Sequence, residues 1–152
     1  MEGQKYETDH FTDVTRTHLP QDADTHALGV ALLDVDRDGD LDAVFALEME
    51  ANRLYLNDGQ GRFVWKRNVF SPKGHDSEHV RTADFDGDGF PDLFIVAEDD
   101  QVHEYYLGNG DGSFRDVSDR IPGNSEGNGL DVGDVNGDGL PDLVLGNSGE
   151  NG

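Results

Sequence analysis

The chain has 152 residues, with 33 acidic and 11 basic side chains, a net charge of −22 and no cysteine. This composition excludes disulfides and thiolate chemistry, and it argues against nucleic acid and anionic membranes, which require a stripe of Lys and Arg. No apolar stretch approaches the ~18 residues that span a bilayer, so membrane insertion is not expected.

Residues 1–20 include Phe11-Thr-Asp-Val-Thr-Arg-Thr-His-Leu-Pro20. This run parallels Phe114-Arg-Asp-Val-Ser-Asp-Arg-Ile-Pro122 and reads as the outer strand of a preceding or closing unit. Residues 21–73 form the first full unit. A strand leads into Asp34-Val-Asp36-Arg-Asp38-Gly39-Asp40-Leu-Asp42, and the apolar run 42–47 reads as a second, buried strand. Residues 52–57 are a third strand, the turn Asn57-Asp-Gly-Gln-Gly61 follows, and Phe63-Val-Trp-Lys66 is a fourth.

Residues 74–123 repeat that order around Asp84-Phe-Asp86-Gly-Asp88-Gly89-Phe90-Pro-Asp92, with strands expected at 92–97, 102–107 and from Phe114. Residues 124–152 supply only the first two strands of a third unit, around Asp134-Val-Asn136-Gly-Asp138-Gly139-Leu140-Pro-Asp142 and 142–147. The first Asp of the nonapeptide recurs every 50 residues. A four-stranded meander repeated at that period is a propeller blade. The expected class is all-β, with two complete blades and partial blades at each end.

The nonapeptide reads as a metal site. Ca²⁺ takes six to eight oxygens at about 2.3–2.6 Å and tolerates irregular geometry, whereas Mg²⁺ wants a stricter octahedron and keeps its waters. Side chains at positions 1, 3 and 5 turn inward around a tight loop whose bend is permitted by the glycine at position 6. A backbone carbonyl at position 7 (Asp40, Phe90, Leu140) and a carboxylate at position 9 (Asp42, Asp92, Asp142) close the shell. Asp-Gly clusters also make ordinary turns, but three copies in register, each keeping the ninth aspartate, favour the metal. An EF-hand needs a Glu at position 12 and flanking helices; position 12 is Phe45, Ile95 or Leu145, and the runs that follow are strand-like.

These residues resemble the FG-GAP/VCBS-type calcium-binding repeats of integrin alpha-chain propellers and many bacterial exported proteins, over about residues 11–147. The resemblance implies Ca²⁺ at three sites, each between the first and second strands of a blade. The ligands it implies are Asp34, Asp36, Asp38, Asp40 through its carbonyl, and Asp42; then Asp84, Asp86, Asp88, Phe90 through its carbonyl, and Asp92; then Asp134, Asn136, Asp138, Leu140 through its carbonyl, and Asp142. The Phe-Gly and Gly-Ala-Pro signatures that name the repeat are absent. Asn136 removes one charge, so the third site is expected to be the weakest.

Without bound cations the clustered carboxylates oppose folding, so calcium is expected to contribute to stability. Closed propellers usually have four or more blades, so the remaining blades are expected from a longer chain or from copies assembling together. The resemblance implies a location outside the cytoplasm, extracellular, at the cell surface or periplasmic. Met1 is followed by Glu-Gly-Gln-Lys-Tyr and not by an apolar signal core, so export is expected to depend on an upstream segment. No nucleophile–base pair, phosphate loop or zinc spacing emerges. His79, Arg81 and Asp131 are expected on a hydrated inner surface rather than as a ligand site in an axial channel, and alternation favours packing between blades over carbohydrate stacking for at least half of Tyr55, Tyr105, Tyr106 and Trp65. Phe45, Phe94, Ile95, Val96, Val144 and Leu145 are expected in the core. The expected function is a non-catalytic module that binds a protein or glycan. The alternative is an accessory propeller portion of an exported lyase or dehydratase whose chemistry lies elsewhere.

Overall fold

The computed structural model describes residues 11–21, 25–99 and 102–147. The architecture is all-β. Strands β1 (Ala27–Leu33), β2 (Asp42–Glu50), β3 (Arg53–Asn57) and β4 (Phe63–Lys66) form one antiparallel meander. Strands β5 (His75–Ala83), β6 (Asp92–Ala97), β7 (Glu104–Gly108) and β8 (Phe114–Asp116) form a second. β9 (Gly127–Gly133) and β10 (Asp142–Asn147) pair as a two-stranded half-blade. A short pairing of Glu48 with Asp76 and Glu50 with His75 joins the two complete blades.

The period-2 pattern of each strand decides which neighbour its side chains meet. Ala31, Leu33, Val44, Ala46 and Leu54 of the first blade pack against Val80, Leu93, Ile95 and Tyr106 of the second. The opposite face of the second blade offers Phe94 and Val96 to Leu130, Leu143 and Leu145 of the half-blade. Every residue of β6 is therefore buried. Innermost strands approach closely: a Cβ on Gly29 of β1 would lie 2.8 Å from the Glu78 carbonyl of β5.

Several expectations need correction. Where an outer strand was expected from Phe11, the described residues contain an isolated bridge at Phe11 and a helical turn, α1, at Thr15–His18. Its counterpart has the same form, because β8 is followed by a 3₁₀ turn at Ser118–Arg120. Asp13 accepts from Thr15 N–H at 3.0 Å as Asp116 accepts from Ser118 N–H at 2.9 Å. Val144 is 52 % exposed and Phe45 half-buried, because no further blade covers those faces among the described residues, and Leu145, which packs on the second blade, is only half-buried at the end of the half-blade. The third strands begin one or two residues late. Asn52 and His103 instead use their side chains to accept the N–H of Leu47 and Ala97, closing the bend before β3 and β7.

Tyr55 and Tyr106 are buried, and the Tyr106 ring packs against Phe70 in a tilted arrangement with centroids 5.0 Å apart. His79 and Arg81 of β5 reach the half-blade: Nε2 of His79 lies 3.2 Å from the Asn128 carbonyl, and Arg81 lies 3.7 Å from Asp131.

Candidate metal centre

Each acidic loop connects the innermost strand of a blade to the second strand, and its shape is imposed by backbone amides folding onto aspartate side chains. Position 1 accepts the N–H of position 6 in all three loops: Gly39 to Asp34 at 3.1 Å, Gly89 to Asp84 at 2.9 Å and Gly139 to Asp134 at 2.9 Å. Position 5 accepts the N–H of position 7, from Asp40 to Asp38, Phe90 to Asp88 and Leu140 to Asp138. Position 6 is left-handed, with φ of 93°, 88° and 87°. Position 4 is left-handed too, at Arg37 (63°), Gly87 (75°) and Gly137 (81°), a requirement that the first loop's sequence conceals.

Within this frame, Asp34, Asp36 and Asp42 each direct an oxygen into one cluster, all within 4.8 Å of one another, and Asp84, Asp86 and Asp92 do the same. The carboxylates of Asp38, Asp40 and Asp88 lie outside these clusters. Asp134, Asn136, Asp138, Leu140 and Asp142 occupy the corresponding third loop, where no three carboxylates converge among the described residues. That loop is exposed from Asp134 to Leu140.

The ninth aspartate has a second task. Asp42 is 1 % exposed; one of its oxygens accepts Val35 N–H at 3.1 Å and the other accepts Asn57 N–H at 2.8 Å. Asp92, fully buried, accepts Phe85 N–H and Gly108 N–H, both at 2.8 Å. One carboxylate thus pins the loop to the end of the third strand. Asp142 accepts only Val135 N–H, at 3.0 Å, because its blade lacks a third strand among the described residues.

Burial raises the pKa of Asp42 and of Asp92 above the ordinary carboxylate value, against the lowering effect of the two amides, and neighbouring acids push in the same direction as burial. Asp134, in its open loop, is instead lowered by the amides of Gly139 and Gly137. Buried carboxylates that are costly to ionise are the groups a cation stabilises.

The donor set points in the same direction. One oxygen each of Asp34 and Asp36 is buried with no hydrogen-bond partner. The hydroxyls of Ser77 and Thr82 share that state, but a neutral hydroxyl is far cheaper to leave unpaired than a carboxylate. The residues present fit a hard, oxygen-seeking cation: several carboxylates, no nitrogen or sulfur donor in the cluster, and an irregular loop.

The first loop also contacts the second blade. Val35 accepts Gly112 N–H at 2.8 Å, Arg37 donates to the Gly110 carbonyl at 3.2 Å, and its guanidinium lies 4.8 Å over the Phe90 ring. Gly108, which opens that Gly-rich turn, is the residue held by Asp92. The two complete loops are therefore joined through one turn.

Successive four-stranded meanders with an acidic loop between the first two strands of each define a propeller-type repeat module. A family described as FG-GAP-like repeat matches residues 34–95 and 91–145, and the chain belongs to this family. It is 31 % identical over 147 residues to cartilage acidic protein 1 of Mus musculus and of Homo sapiens, and 29 % identical to that of Xenopus tropicalis. These alignments cover 89 % of this chain, which spans only 22–23 % of the length of those curated relatives.

Proposed function

We propose that the chain is a calcium-stabilised, non-catalytic binding module that works outside the cytoplasm and presents its blade loops to a protein or glycan partner. The observation that carries the calcium reading is the pair of buried, unpartnered oxygens of Asp34 and Asp36, within a cluster completed by Asp42. Asp34, Asp36 and Asp42 would hold the ion in the first blade, and Asp84, Asp86 and Asp92 in the second. The bound ion supplies positive charge that offsets the mutual repulsion of these acids. Asp38, Asp88 and the carbonyls of Asp40 and Phe90 complete the expected donor set. Asp134, Asn136, Asp138, Asp142 and the Leu140 carbonyl form the third and weakest site.

Support for the location is indirect and physical: extracellular calcium modules have affinities of about 10⁻⁴–10⁻³ M, a range matched to calcium-rich surroundings. The named relatives are called acidic, and this chain carries a net charge of −22.

The test is thermal unfolding in excess chelator and in millimolar Ca²⁺. At millimolar Ca²⁺ and a dissociation constant of about 10⁻⁴ M, the ion contributes about 1.4 kcal/mol per site, so two sites should raise the melting temperature by about 5–10 °C. Superimposable melts would overturn the calcium reading. Calorimetric titration of Asp36→Ala, Asp86→Ala and Asn136→Ala should then rank the third site lowest, and equal affinities would remove that ranking.

A further inference from the structure

Basic residues are unevenly placed in this acidic chain. Five of the 11 lie between Arg53 and Lys73, and no Asp or Glu occurs from Gly59 through His75. The equivalent stretch of the second blade interleaves Arg115 and Arg120 with Asp111, Asp116 and Asp119. The outer edge of the first blade is therefore a local reversal of charge.

The structure gathers part of that stretch into a groove of about 240 Å³ at the end of β4, lined by Asn52, Trp65, Lys66, Arg67 and Asn68 together with small apolar surfaces, and by no carboxylate. Arg67 stacks on Trp65 at 3.8 Å, and Arg53 lies over the same ring at 4.3 Å while pairing with Glu50. The indole holds the guanidinium of Arg67 in place and lowers the entropy lost when it binds. Lys66 donates to the Asp111 carbonyl at 3.2 Å and also feels the charge of the Asp111 carboxylate, so the free positive charge at this edge comes mainly from Arg67 and Lys73. Arg67 and Lys73 are exposed and have no ion-pair partner among the described residues. Glu104, behind Asn52, is buried, with its oxygens taken by Asn52 and Tyr106.

We propose that this groove binds a sulfated polysaccharide, with Arg67 engaging its sulfates from the lining and Lys73, which follows the lining residue Pro72, engaging them from beside it. The inference deepens the binding-module reading and rests on it. Charge complementarity fixes the sign of the ligand, because a chain of net charge −22 repels polyanions everywhere except at such an edge. A weakly hydrated, planar guanidinium suits a tetrahedral oxyanion that it can contact with two N–H groups. Addition of an acidic peptide as an extra strand fits less well. β4 has only four residues and is followed at Asn68 by a left-handed φ of 60°, so the edge offers little backbone to pair.

Trp65 is the single tryptophan of the chain and lines the groove, so its fluorescence reports binding directly. The intact chain in millimolar Ca²⁺ is titrated with a heparin-type octasaccharide, its desulfated counterpart and polyglutamate of matched charge. Saturable quenching or shift is expected with the sulfated sugar alone. The double variant Arg67→Ser/Lys73→Ser should lose affinity about tenfold or more, and the log–log salt slope should fall by about two. Arg115→Ser/Arg120→Ser should change affinity less than about twofold, since those cations sit among acids. Arg67→Lys keeps the charge without the fork and should lose about threefold.

No binding of the sulfated sugar, equal affinity in the groove double variant, or preference for polyglutamate would each overturn the proposal. Melting curves recorded on the same samples in Ca²⁺ and chelator separate this outcome from failure of the calcium reading, since the groove residues lie outside the acidic loops.

Discussion

The first and third acidic loops share the same spacing and differ among their expected side-chain ligands only at Asp36 against Asn136, yet their surroundings make them different objects. In the first, Asp42 is buried, holds two backbone amides and joins a cluster with Asp34 and Asp36. In the third, the loop makes its own turns onto Asp134 and Asp138 but stays exposed, and Asp142 holds one amide. The nonapeptide alone can therefore shape a loop. Assembling a buried carboxylate site takes a third strand, whose terminal N–H fixes the ninth aspartate, and a neighbouring blade that excludes water.

The largest effect that would break this comparison comes from the ninth position. Asp92→Ala leaves the N–H groups of Phe85 and Gly108 without acceptors, at about 1–3 kcal/mol each, so denaturant unfolding in Ca²⁺ should show a loss of about 3–5 kcal/mol. Asp142→Ala should cost about 1 kcal/mol or less, because only the exposed N–H of Val135 is freed. Equal losses would show that the third loop is as tightly built as the second. Next in size is the central strand. Val96→Ala, in a fully buried position, should cost about 2–3 kcal/mol, whereas Val144→Ala, at 52 % exposure, should stay within about 0.5 kcal/mol.

The smallest and most local prediction concerns Arg37. Asn tolerates the left-handed conformation, so Arg37→Asn removes the guanidinium contacts to Gly110 and Phe90 without straining the loop. A loss of about 1 kcal/mol is expected, with faster hydrogen exchange at Gly112, whose amide bonds to Val35. Exchange unchanged at Gly112 would mean that the first loop and the second blade's turn are held together by backbone contacts alone.

Much of this organisation is legible in the residues themselves. The 50-residue interval, the ninth aspartate and the apolar runs after it specify loops between strands, and the Gly-rich turns specify the outer hairpins. The left-handed position 4 is harder to see, because glycine marks it in two loops and arginine occupies it in the first. The equivalence of Asn52 and His103 is also hidden: one is an amide and the other an imidazole, yet each accepts the N–H at the equivalent position of the second strand, Leu47 or Ala97. Local patterning cannot find that match, since the shared feature is a hydrogen bond across a bend. The acid-free stretch around Trp65 is visible in composition, but the groove and its indole–guanidinium stacking are not.

By itself, the amino-acid order determines the repeat, the antiparallel meander and the chemistry offered at each loop, because turn conformations and alternating apolar positions act over a few neighbouring residues. Tertiary structure decides which loops gather their acids, which valines are core and which cations stand without partners. Those outcomes depend on desolvation by another blade and on amides from a strand some 15 residues away, such as Asn57 reaching Asp42. The same nine-residue pattern is thus a buried cluster in one setting and an exposed turn in another.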